Sequence, residues 1–149
     1  MPTLFHLEIH TPYRLFFSGE VEFISLQLSD GEIGIYAHHA PITAPVVCCI
    51  LRIKDDQGLV RPAFIRNGIL EVTEIKTLLL VDTAEWPEEI DTERTLEIQK
   101  EAYESLESAI LQFERQKAQA KLRRAELRLK VAGMREKDLH PNFPLTEST

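Results

Sequence analysis

The sequence predicts an α+β chain: antiparallel strands over residues 1–87, helix over 88–133 and a tail over 134–149. Three observations carry this. Apolar residues alternate in short runs as far as Trp86, with turn residues roughly every 8–12 positions, which indicates a sandwich or a barrel. Residues 88–132 contain no Gly, Pro or Asn, so nothing there interrupts a helix. Within that region charge is split: residues 88–107 hold eight acidic and two basic groups, and residues 114–135 hold two acidic and eight basic.

Taken in order, residues 4–10 alternate and stop at Thr11-Pro12, which reads as a first strand. Residues 14–28 read as a long second strand, bent at Ser18-Gly19. Asp30-Gly31 is a strong hairpin signal, because a type I′ turn needs positive φ at both central residues. The return strand is Glu32–Tyr36, where Gly34 suits a bulge or a close backbone approach. Ala37–Pro45 reads as a loop and Val46–Lys54 as an apolar strand. Asp55–Gly58 has turn chemistry. Val60–Arg66 is the next strand, with Pro62 marking an edge or bulge. Asn67-Gly68 reads as a tight turn before a hairpin of Ile69–Thr73 and Thr77–Val81.

Trp86-Pro87 closes the strand region, and Asp91 is placed to cap the first helix. One apolar set runs through Leu96, Tyr103, Leu106 and Ile110, interrupted by Gln99. A second, Ala118, Leu122, Ala125, Leu129 and Ala132, alternates small and large residues at heptad-like spacing, which suits close helix packing. Gly133 is placed to terminate it. The residues alone allow a hairpin or one long rod; the acidic and basic halves favour a hairpin. The turn is weakly marked, since only Ser105 and Ser108 interrupt the propensity and residues 110–114 could stay helical. The two prolines of the tail predict disorder there.

Composition narrows the functional classes. Net charge is −7 and charged residues make up 28% of the chain, an ordinary soluble composition. No apolar run reaches membrane-span length. The N-terminus lacks the basic and apolar regions of a signal peptide, so the protein is expected to stay where it is made. Cys48 and Cys49 are adjacent and so point to opposite faces of a strand. They read as free buried thiols. The sequence pI of about 5.3 and the absence of a base-stacking aromatic array argue against nucleic acid.

The residues offer no catalytic constellation. There is no Walker A sequence and no Gly-x-Ser-x-Gly around Ser18, Ser25 or Ser29. His38 and His39 lack companion ligands at usable spacing, so a loop or interface role is expected. His6 and His10 share a strand face and read as surface residues. Asp55 and Asp56 could hold a cation, but turn chemistry explains them.

The order of several short segments carries a resemblance. Asp30, Gly31, Glu32, Gly34, His39, Ala40 and Pro41 resemble the core signature of the epsilon subunit of F-type ATP synthase. Leu15–Val21 resembles that family's second strand, and Arg66–Val72 a later hairpin, with Asn67 where Gly is common. Asp82–Glu85 and Ile90-Asp91 match its exit from the sheet. Leu122–Ala125 and Arg128–Ala132 match the end of its second helix. Over residues 3–133 the order is specific.

The resemblance implies an N-terminal antiparallel β-sandwich (1–87), a C-terminal two-helix antiparallel hairpin (88–133) and the function of a non-catalytic central-stalk rotor subunit. It implies a gamma subunit, a ring of membrane c-subunits and the alpha/beta hexamer as partners. It also implies a peripheral place on the cytoplasmic face of the bacterial inner membrane. The expected partner-binding residues are Asp30, Gly31, Glu32, His38, His39, Arg123, Arg124 and Arg128, with the basic helix meeting acidic loops of beta and opposing ATP hydrolysis. No cofactor is required. Some family members bind regulatory ATP through an Ile/Leu-Asp-x-x-Arg-Ala motif and arginines of the second helix. Ile90-Asp91-Thr92-Glu93-Arg94-Thr95 resembles it, and Arg124 and Arg128 match the pair. Thr95 stands where Ala is usual, and Glu101 where a further basic residue is expected. The plain alternative is that Asp91 caps the helix and the arginines pair with carboxylates. A second function class is a β-sandwich adaptor whose helical tail forms a coiled coil.

Overall fold

The structure, a computed structural model, describes residues 3–134; the expectation for the tail beyond Met134 lies outside them. Seven strands come first: β1 (Phe5–His10), β2 (Leu15–Leu28), β3 (Gly31–Tyr36), β4 (Ile42–Val46), β5 (Cys49–Asp55), β6 (Val60–Val72) and β7 (Thr77–Glu85). A 3-10 turn, Pro87–Glu89, leads to α1 (Thr92–Ser108) and α2 (Gln112–Gly133). Among the described residues all strand pairs are antiparallel except β1 with β7, which is parallel. β1 pairs with both β2 and β7, β7 with β6, and β6 with β4 and β5, which return to β2. The sheet therefore closes on itself as a flattened sandwich, and β3, held only by β2, is its free edge.

Alternation produces the core. Leu7, Ile9, Val21, Ile24, Leu26, Ile35, Leu51, Ile53, Ile65, Leu70 and Leu79 are all fully buried and form one cluster drawn from strands alone. Pro62 lies where β6 pairs only with β5, because the β7 pairing begins at Phe64. A proline is tolerated at such a one-sided position of a strand.

Several local expectations need correction. Leu28 pairs with Gly31, so the hairpin loop is Ser29-Asp30. Neither loop residue has a positive φ; Gly31 takes it, at 143°. Gly34 holds no bulge: a Cβ there would lie 2.7 Å from the Phe23 ring, so close approach is the reason for glycine. The irregularities of β2 fall opposite Ile9/His10 and between Val21 and Phe23, not at Ser18-Gly19. Residues 42–45, expected as loop, belong to strand β4, and the expected strand 46–54 is broken at Val47-Cys48. β4 and β5 hold one register along β6 and are split opposite Arg66-Asn67. Asn67-Gly68 is accordingly no turn. It is a kink within a continuous β6, with Asn67 at φ 27° and Gly68 packed so closely that a Cβ would run into the Leu80 carbonyl.

The helical region is a hairpin turning at Ala109–Leu111. Asp91 is the N-cap of α1 and accepts a hydrogen bond from the Arg94 amide at 3.1 Å. The buried face of α1 is Thr95 and Ala102, not the larger residues one position on, Leu96 and Tyr103, which are 50% and 48% exposed; Leu106 is half-buried, and Ile110, in the turn, is 91% exposed. Ala118, Ala125 and Ala132 of α2 are buried. Small residues seven apart on both helices let the backbones approach closely. Leu122 and Leu129 are only half-buried. Leu127 and Val131 instead turn to the sandwich, packing with Ile50, Phe64 and Ile90 in a second cluster. Gly133 stays helical without a left-handed φ, and α2 is capped by Met134.

Candidate functional site

α2 lies on the sandwich with Leu127 and Val131 inward, so its charged residues fall on two flanks. On the first, Arg128 Nε donates to Glu85 Oε1 at 2.8 Å and its guanidinium lies 4.7 Å from the Phe64 ring centre. Arg124 stands one turn earlier on the same flank. Partial burial, then the nearby Arg66 and Arg128 guanidiniums, lower its pKa, partly offset by Cys48. Arg66, Arg124 and Arg128 thus gather around Cys48. Burial pushes the Cys48 thiol up against the pull of these arginines and of Arg123, and the buried Cys49 thiol rises to about 12. Both cysteines are free.

The expected nucleotide residues are otherwise engaged. Asp91 caps α1, and Arg94 Nη1 meets Glu97 at 3.2 Å. Among the described residues no hydrogen bond or ion pair joins Asp91 or Arg94 to Arg124 or Arg128. Glu101 pairs with Lys121 across the hairpin at 3.4 Å.

The junction between the two parts is tightly held. Trp86 stacks on Phe16 with ring centres 4.3 Å apart, meets Phe17 edge-on, and carries the Arg61 guanidinium 3.9 Å from its ring centre. Glu89 accepts from the Trp86 amide at 2.9 Å and pairs with Arg14 at 2.7 Å. Its hydrogen bond to Arg14 holds the Glu89 carboxyl below its ordinary pKa.

The expected partner residues fall in separate places. Asp30, Gly31 and Glu32 lie at the start of β3, and His38 and His39 lie just past its end. Six residues of strand, roughly 20 Å, separate them. His38 has a φ of 65°, and His39 Nδ1 donates to the Ala40 carbonyl at 2.7 Å. Their loop faces the Thr73–Lys76 turn, where Ile75 is 88% exposed, across a cavity of about 450 Å³. Among the described residues no group of three or more His, Cys, Asp or Glu could hold a metal. Asp55 Oδ1 instead accepts from the Gln57 and Leu59 amides at 2.8 and 2.9 Å. His6 and His10 do lie on the surface, but both contact Glu8.

The outer face of the sheet bears a feature the sequence reading missed. Pro45 pairs with Ile69, Ile69 with Leu80, Leu80 with His10 and His10 with Leu15. These residues form one row across five strands, roughly 20 Å long. Ile69, Leu80 and Leu15 are about half exposed, at 49%, 46% and 55%. The signal was present in the consecutive apolar residues Leu78-Leu79-Leu80 and Ile69-Leu70, because adjacent strand positions cannot both face one core.

Two family models match. The beta-sandwich domain of the ATP synthase delta/epsilon chain covers residues 4–87, and its long alpha-helix domain covers residues 88–133. A protein of Caldicellulosiruptor bescii named ATP synthase epsilon chain is 46% identical over 86% of this chain and 93% of its own length. One of the same name from Caldanaerobacter subterraneus is 42% identical over 89% of this chain and 96% of its own. Among solved structures, a chain in the Euglena gracilis mitochondrial ATP synthase (OSCP/F1/c-ring) shares the fold. Its TM-score is 0.69 at 21% identity, over 94% of this chain and 84% of that one.

Proposed function

The chain belongs to the ATP synthase delta/epsilon family, and from that premise we propose that it is the non-catalytic epsilon-type rotor subunit of the central stalk. It couples ion-driven rotation to synthesis carried out elsewhere in the complex. The observation that carries the docking is the outer apolar row. A half-exposed band of Leu15, Leu80, Ile69 and Pro45 across a sheet face suits a long partner such as the gamma subunit. The His38-His39 loop runs directly into β4 and borders the Thr73–Lys76 turn. Asp30, Gly31 and Glu32, at the other end of β3, are left to a second contact, the c-subunit ring. The subunit is then peripheral and sits on the cytoplasmic face of the membrane.

Regulation belongs to α2. Arg123, Arg124 and Arg128 compete between two states. Docked, Arg128 is held by Glu85. Extended, residues 91–132 would form a rod of roughly 63 Å at about 1.5 Å per residue, and the basic face would meet acidic loops of the beta subunits. Each exposed pair contributes only about 0.2–1 kcal/mol, so several act together. A regulatory ATP would place its phosphates against Arg124 and Arg128, with Asp91 and Arg94 at the start of α1. The gathering of Arg66, Arg124 and Arg128 on one flank supports an anion there. ATP would have to displace Glu85 and Glu97 from Arg128 and Arg94.

Reconstitution tests these readings. Ile69→Asp with Leu80→Asp should abolish co-purification with alpha, beta and gamma chains while the isolated subunit stays folded. Unchanged co-purification would move the docking face elsewhere, and an adaptor would not co-purify with them at all. Replacing Arg123, Arg124 and Arg128 by Ala should leave assembly intact and raise ATP hydrolysis several-fold. An unchanged rate with the subunit bound would show that the basic face does not inhibit.

A further inference from the structure

The outer apolar row is interrupted by a histidine. His10 stands between Leu80 of β7 and Leu15 of β2, and its side chain is 38% exposed. Ile9 before it is fully buried in the strand core, so alternation turns His10 outward. His10 Nε2 lies 2.9 Å from Glu8 Oε1, and Lys76 Nζ lies 3.0 Å from Glu8 Oε2. These two hydrogen bonds hold the Glu8 carboxyl down at about 2, so it is an acceptor throughout the range in which histidines titrate. Nε2 therefore donates, and the neutral ring presents Nδ1 as an acceptor. The other charged groups of this face lie off the row. His6 meets Glu8 and the Glu20 carboxylate of β2. Glu71 of β6 pairs with Leu78, in the row of Glu8, and the exposed Asp82 of β7 lies two residues past Leu80. Arg14, beside Leu15, is held by Glu89 and the Ala84 carbonyl.

We propose that His10 makes docking of the outer face sensitive to pH: the neutral imidazole fits within the apolar contact, and the protonated ring opposes it. The inference rests on the docking reading above and adds its regulation. A partner lying along the row removes water from the flanks of His10. The neutral imidazole is then an apolar ring with one acceptor, which a backbone N–H or a hydroxyl of the partner can satisfy. Protonation changes two things together. Nδ1 becomes a donor and faces the donor that it had met. The imidazolium must also lose its water between two leucines, which is costly for a charge without a full partner. Glu8 does not supply that partner alone, because Lys76 holds the same carboxylate. The charges of Glu8 and Lys76 cancel, so His10 decides whether the trio enters the contact neutral or with a net positive charge. Acid therefore loosens the contact, since the free subunit takes up a proton that the docked one does not. The partner surface so selected is apolar, with a hydrogen-bond donor and no carboxylate opposite His10.

The test is the affinity of the full chain for a complex of alpha, beta and gamma chains that lacks it, measured at about pH 8 and about pH 6 and at equal ionic strength. Wild-type affinity should fall roughly three- to tenfold over that interval, as uptake of one histidine proton by the free subunit requires. His10→Gln should bring the ratio of the two affinities to about one, because its amide does not titrate. His10→Arg should also give a ratio of about one, but with binding several-fold weaker than His10→Gln at both values, because its charge is permanent. His6→Gln, off the row, should keep the wild-type ratio. The thermal midpoint of each variant alone shows that it is folded. A wild-type affinity that does not fall with acid, or a fall that survives His10→Gln, overturns the inference and leaves the docking face in place. Undiminished binding of the Ile69→Asp, Leu80→Asp variant at both values overturns the docking face, and the inference with it.

Discussion

Glu8 stands between two histidines on the outward face of β1. His10 Nε2 meets its carboxylate at 2.9 Å, Lys76 Nζ at 3.0 Å and His6 Nε2 at 3.3 Å. Hydrogen bonds from His10 and Lys76 lower its pKa from 4.5 to about 2. A carboxylate with a depressed folded pKa contributes stability above its unfolded value and loses it as pH falls through the folded one. Glu8→Gln should therefore lower the denaturation midpoint at pH 7, and its deficit should shrink between pH 4.5 and about 2. A deficit constant across that window would mean the ion cluster contributes nothing. The same residues show why sequence reading falls short here. His6 and His10 were legible as surface residues, but Glu20, which meets His6 Nδ1 at 3.0 Å, reaches it only through the β1–β2 register.

The hairpin is governed by small side chains. Thr95 and Ala102 on α1 and Ala118 and Ala125 on α2 are all buried, so the helices have no room for larger residues at these positions, while Ala132 packs with Ile90 in the second cluster. Ala125 is 1% exposed. Ala125→Leu should overpack the seam and cost about 1–3 kcal/mol, read as a loss of helical signal below the main transition. An unchanged melting profile would show that the helices are not closely packed there. The α2 stripe was legible from its seven-residue period. Its partner on α1 was misassigned by one position, because large apolar residues outweigh a Thr and an Ala in any reading of hydrophobicity. Asn67-Gly68 misled for a related reason. Its composition is that of a turn, and only the Leu80 carbonyl beneath Gly68 shows why glycine is needed inside a strand. The packing of Ile50 against Leu127 and Val131 was not legible at all, since β5 and α2 meet only in three dimensions.

At the scale of the molecule there are two cores of unequal independence. The larger draws on strands alone, whereas the smaller joins Ile50 and Phe64 of the sheet to Ile90, Leu127, Val131 and Ala132. A chain ending at Pro87 should therefore fold with a cooperative transition, but at a lower midpoint. It would expose Phe64, whose burial is worth about 1.5–3 kcal/mol. Loss of cooperativity in the shortened chain would show that the sandwich depends on its helices.

Trp86 is the chain's single tryptophan, pressed between Phe16 and Arg61 where the strands hand over to the helices. Whatever light the protein emits on tryptophan excitation comes from the joint itself. A swing of the hairpin that loosens Glu89 from Arg14 would reach that indole first. The junction thus carries its own optical gauge, and any loosening of it could be followed by ultraviolet emission without attaching a dye.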